Sequence, residues 1–168
     1  MDYEFNGLPL HVLFVHFVVI VVPLAALCTV LAAAWPAARR RLGVVTPAIA
    51  LAALISVPIT TEAGEWLLAR VGQTPLVAAH AAIGKTLLPW ALATFVVAVI
   101  QWFWFRFVTA PDARFASRVP GTTSRLAITI ALAVVVLVVA AGSVVTVVQI
   151  GESGARAIWT GSFTQNPR

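Results

Sequence analysis

Charge is what this chain has least of. Only 10% of its 168 residues are Asp, Glu, Lys or Arg, against about 25% in an ordinary soluble domain, while 61% are hydrophobic. With a mean hydropathy of +0.98, there is too little polar surface to solvate a globular fold, which excludes that class. Cys28 is the only cysteine, so an intramolecular disulfide is excluded. Inside an apolar run it reads as a small buried side chain. Met1 is the only methionine, which excludes thioether ligation within the chain. Strand-like alternation of apolar and polar residues is absent, and with it the signature of a membrane barrel. No nucleophile with its base, phosphate loop or metalloprotease motif is found, which argues against hydrolytic catalysis. Internal repeats and low-complexity tails are missing too.

What the chain does have is four apolar stretches, at about 10–35, 43–62, 84–106 and 126–148. Each approaches or exceeds the roughly 20 helical residues that cross a hydrocarbon core of about 30 Å. Helices are the remaining backbone solution in lipid. The sequence therefore predicts an all-α membrane protein, a single domain over residues 1–168 folded as a four-helix transmembrane bundle. Orientation follows from Arg39, Arg40 and Arg41 after the first span and Arg106, Arg114, Arg118 and Arg125 after the third, seven of eleven basic residues. By the positive-inside rule both connections lie inside, and the N and C termini outside. The opening MDYEFNGLP carries Asp2 and Glu4 and no basic residue, unlike a signal peptide, so the first run is expected to stay as a span. The pI of 11.1 then reflects topology and attraction to anionic head groups rather than nucleic acid. Trp35 and the run Trp102, Phe103, Trp104, Phe105 fall at the inner ends, and Trp66 and Trp159 at the outer ends, as belt anchors. Trp90, in mid-span, either packs or lines a pocket. Pro111, Pro120 and Gly121 mark 107–125 as a basic surface connection.

All three histidines gather at the outer end. Counting about 20 residues from each inner boundary, at about 1.5 Å per residue, brings His16, Glu62 and Lys85 to the outer boundary. His11, Glu65, His80 and Glu152 fall a little further out. Ionisable groups at this depth are costly and face a bundle interior or a watery cavity. His11 and His16 are about 140° apart around a helix, so the two do not easily serve one metal ion. Glu62 and Glu65 share a face, Glu152 and Arg156 form a surface i, i+4 pair, and Lys85 either snorkels or neutralises Glu62. Haem b in a bundle needs two axial ligands on facing helices and small residues that admit the porphyrin. His80 with Gly84 supplies one half and His16 the other, with His11 as the competing choice; Gly142 and Ser143 offer close packing on the fourth helix. The rival is a bare transition metal ion held by His11, His80, Glu65 and Glu152. Glu62, Glu65, Lys85, Glu152 and Arg156 make a charge and proton network at the rim. The apolar inner halves of the helices argue against a proton path through the bundle.

The run Gly7-Leu8-Pro9-Leu10-His11, followed by Val15-His16-Phe17, resembles the amino-terminal signature Leu-Pro-x-His-Pro-Leu-Leu-Val-His-Phe-Pro. That signature belongs to a bacterial four-helix membrane family, domain of unknown function 2231 (DUF2231). The His80 segment and the stretch Gly151, Glu152, Ser153, Gly154, Ala155 agree with it, so the resemblance spans nearly the whole chain. Val12 and Val18 stand where the family has prolines, and Glu152 where many members have histidine. The resemblance implies a multi-pass protein of the bacterial cytoplasmic (inner) membrane and a redox accessory role. The leading expectation is binding of a b-type haem or another redox centre that passes electrons between membrane quinone and an extracytoplasmic partner or other membrane redox subunits. It also implies an electron-transfer or accessory subunit rather than a stand-alone enzyme. The alternative is a non-enzymatic metal-binding or assembly subunit of a larger membrane complex.

Overall fold

Four helices long and apolar enough to cross a membrane dominate the structure, a computed structural model that describes residues 3–110, 113–119 and 121–162. Asp2, Pro111 and Pro120 lie outside the described residues. The chain opens on a small hairpin of β1 (Glu4–Phe5) and β2 (Leu8–Pro9). Asn6 and Gly7 form its two-residue loop with φ of 50° and 75°, the pair of positive φ values that an Asn-Gly turn of type I′ requires. The helices are α1 (Leu10–Ala34), α2 (Pro36–Leu42), α3 (Val45–Leu68), α4 (Pro75–Gly84), α5 (Leu87–Phe103) and α6 (Thr122–Trp159). A π-helical turn, Trp104–Val108, extends α5. In the connection that follows, Ala116–Arg118 forms a short 3₁₀ turn, and Arg125 donates to the Ala116 and Val119 carbonyls.

Three of the four spans outrun their predicted limits. Helix α3 continues past 62 to Leu68, and α6 runs from 122 to 159 rather than 126 to 148. Hydropathy marks only the length that lipid can cover, whereas a helix satisfies its own backbone hydrogen bonds and can run on into polar sequence. The third span begins at Pro75, nine residues before the predicted start at 84. Thr74 caps it, its hydroxyl accepting from the Val77 amide at 3.2 Å, and Pro75 sits in the first turn, a start signal readable in the sequence. Its break after Gly84 has a local cause. Pro89 has no N–H to offer the Lys85 carbonyl, so the helical ladder lapses at Lys85 and Thr86 while the backbone keeps helical angles.

Helix α1 packs on α3 and α6, α5 on α3 and α6, and α4 on α6. The seams are built from small residues: Ala25, Ala50, Ala53, Ala63, Ala91 and Ala98 are all buried, while Ile20, Ile55, Leu92 and Leu137 point outward. That inversion suits lipid, where apolar surface gains nothing by hiding and helices associate by close backbone approach. Thr94 and Ser143 share a hydrogen bond of 2.9 Å between α5 and α6, and Gln101 Nε2 donates to the Thr29 carbonyl of α1 at 3.1 Å. Trp104 is buried and donates from Nε1 to Thr129 Oγ1 at 3.0 Å, so it ties two helices together instead of anchoring a belt. Trp90 packs on Gly142, where a Cβ would come within 2.2 Å of the indole. Of the two roles open to it in the sequence, packing is the one found.

Candidate functional site: a histidine pair over an apolar cavity

The hairpin delivers the chain into α1 so that His11 stands in the first helical turn, facing α3. Its ring lies on Gly64, where a Cβ would sit 2.9 Å from Nδ1. His11 Nδ1 is 2.9 Å from the Thr60 carbonyl oxygen. A carbonyl only accepts, so Nδ1 carries the proton and Nε2 keeps its lone pair. His80, midway along α4, repeats the arrangement on α6: a Cβ on Gly154 would sit 3.0 Å from its Cε1, and its Nδ1 is 3.0 Å from Ser153 Oγ. Ser153 donates its own proton to the Ile150 carbonyl at 2.9 Å, so its oxygen accepts from His80 Nδ1. In the neutral form of each imidazole these contacts put the proton on Nδ1 and leave the lone pair on Nε2. Acceptors placed behind the other ring nitrogen are the usual support of a metal-bound histidine.

The two rings approach each other, with centroids 6.3 Å apart and planes at 74°. They border one cavity of about 650 Å³ between α1, α3, α4 and the C-terminal half of α6, with Val15, Val57, Leu68 and Val147 among its apolar walls. This is the size of a small-molecule or cofactor site. Gly84 lines it and faces open space. Polar groups border it where Lys85 and Glu65 form an ion pair of 2.8 Å, both side chains more than half exposed. Nearby, Tyr3 donates to Glu62 at 2.8 Å. That hydrogen bond holds the phenol above its ordinary pKa, because ionising it would remove the proton being donated; desolvation and the neighbouring carboxylate charge push the same way.

Several expectations are corrected by this geometry. His16 does not meet His80: it is exposed, absent from the cavity wall, and its Nδ1 turns back to the Val12 carbonyl at 2.7 Å. The angle of about 140° from His11 turns it away from α3. Lys85 neutralises Glu65, not Glu62. His11, His80, Glu65 and Glu152 do not converge; Glu152 stays on the surface with Arg156, and no three His, Cys, Asp or Glu groups among the described residues are arranged to hold a metal ion. Thr60, Gly64, Ser153 and Gly154 are site residues that the reading of motifs did not single out as such. A helical glycine costs about 1 kcal/mol relative to alanine, so Gly64 beside Glu65 and Gly154 beside Ser153 were signals of close approach. No protein-family profile, curated protein or solved structure matches the chain.

Proposed function

We propose that this chain is a membrane redox subunit that holds a b-type haem between His11 and His80. The observation that carries the reading is the pair itself: two imidazoles with centroids 6.3 Å apart, each with an acceptor behind Nδ1, on the wall of one apolar cavity. His11 and His80 would hold such a group through Nε2, the ring nitrogen left free by the Thr60 and Ser153 contacts. Haem also asks the protein for only two ligands, because the porphyrin supplies the others, whereas a bare ion in a structural site takes four from the protein. Glu65 and Glu152 are committed to Lys85 and Arg156.

The residues present fit such a group. Gly64 and Gly154 let both rings lie against the backbone, and the cavity walls are largely apolar. When bound, haem supplies one-electron transfer at a potential tuned by its axial ligands and by burial. The chain's own part is to donate two Nε2 lone pairs, to orient them through Thr60 and Ser153, and to keep charge exchange with the Glu65–Lys85 pair at the rim. Membrane quinone and an extracytoplasmic redox partner belong to the same proposal, as does a bacterial inner-membrane setting with both termini outside. The likeness to the DUF2231 signature supports it, since His11 of that motif is the histidine that faces His80.

Visible spectra of detergent-purified chain, oxidised and then dithionite-reduced, test the reading. A sharp reduced haem band is expected in the native chain and in His16→Ala, and its loss in His11→Ala and His80→Ala. Full occupancy in either of the last two variants would sink the assignment, as would a native chain that takes up no haem on reconstitution.

A further inference from the structure

A second cavity, of about 560 Å³, lies at the opposite end of the bundle, between the end of α1, α2, the start of α3 and the end of α5 with its π turn. Its mouth is cationic. Arg39 is fixed there: Nε and Nη2 donate to the Ala32 and Ala33 carbonyls at 2.7 Å each, and the guanidinium lies 3.3 Å over the Phe105 ring. Arg40 and Arg106 line the same cavity with exposed side chains, and neither forms an ion pair among the described residues. The described carboxylates, Glu4, Glu62, Glu65 and Glu152, all belong to the histidine end; Asp112 lies outside the described residues. Three like charges around one opening repel each other and favour an anion.

The interior of this cavity is polar in a more specific way. Thr46 and Gln101 both line it, are only 3% and 2% exposed, and Thr46 Oγ1 and Gln101 Oε1 lack any hydrogen-bond partner. The Gln101 amide nitrogen is already committed to Thr29, so what remains is an acceptor that calls for a hydroxyl or ammonium donor. Buried polar atoms are rarely left unpaired. A ligand that satisfies the whole cavity carries a phosphate for the arginines and a hydroxyl that reaches inward.

We propose that this cavity binds the phosphate ester of a polyol, with Arg39, Arg40 and Arg106 holding the phosphate and Gln101 and Thr46 receiving the hydroxyl. A glycerol-phosphate lipid head group and a soluble phosphate ester share that chemistry. Basic pockets between membrane helices take anionic head groups for the same reason, and guanidinium groups pair with phosphate oxygens two at a time.

The test uses the full chain in neutral detergent, with native mass spectrometry for retained lipid and thermal midpoints for soluble anions. Phosphatidylglycerol should be retained one per chain and more tightly than phosphatidylcholine. Arg40→Gln with Arg106→Gln, both exposed, should weaken it by about tenfold or more without loss of helix. Gln101→Leu should bring phosphatidylglycerol down to the affinity of phosphatidic acid, which lacks the outer glycerol hydroxyls. If glycerol phosphate alone raises the midpoint and displaces the lipid, the site stands and its source is soluble; if it does neither, the source is the bilayer. Equal retention of phosphatidylglycerol and phosphatidylcholine, or equal retention by the native and double-arginine chains, overturns the site.

Discussion

At the scale of single residues, what stands behind each imidazole matters as much as the ring. Ser153 can accept from His80 only because its own proton goes to the Ile150 carbonyl, and Gly154 leaves the room that the ring occupies. Removing a partner of this kind from a metal-bound histidine lowers affinity by about tenfold to a hundredfold, and Ser153→Ala is expected to fall in that range, read as haem occupancy at fixed haem concentration. Gly154→Ala sets two effects against each other. Alanine adds about 1 kcal/mol of helix propensity, while its Cβ, 3.0 Å from His80 Cε1, makes the ring give by a few tenths of an ångström. The expected result is a thermal midpoint close to that of the native chain together with a clear loss of haem. Unchanged occupancy in both variants would show that His80 is not held for ligation.

At the scale of elements, the bundle depends on where small residues allow helices to touch. Trp90 of α5 packs on Gly142 of α6, and a methyl group at that glycine would overlap the indole at 2.2 Å. Forcing such an overlap costs about 1 to 3 kcal/mol, so Gly142→Ala should lower the denaturation midpoint in detergent. Trp90→Leu in the same chain should recover part of that loss, because contacting sites couple; strict additivity of the two substitutions would refute the contact. The long α6 carries a separate lesson. Its apolar 126–148 was readable from hydropathy, yet the part that holds Ser153 and Gly154 lies beyond it, in polar sequence that hydropathy leaves out of the span.

At the scale of the molecule, the two ends differ in charge and in chemistry. One carries the histidines and every described carboxylate, the other the arginine clusters at 39–41 and 106–125. The positive-inside rule predicts that the histidine end lies outside. With Cys28 replaced by Ser, a membrane-impermeant thiol reagent should label Ser162→Cys on intact spheroplasts and Ser117→Cys only after lysis. Labelling of Ser117→Cys on intact cells would invert the orientation and move the proposed redox site to the cytoplasmic face.

Sequence by itself determined that four helices are long and apolar enough to cross a membrane, that Cys28 is buried, and that polar chemistry gathers at one end. Hydropathy and charge are properties of each residue in turn, and they survive any rotation of a helix about its axis. Tertiary structure decided the partners: His11 rather than His16 opposite His80, Glu65 rather than Glu62 beside Lys85, Trp90 on Gly142 rather than in the cavity. Each of those depends on azimuth, which turns by about 100° per residue. It is set by which small residues let two backbones approach, a pairwise property that no single stretch of chain contains.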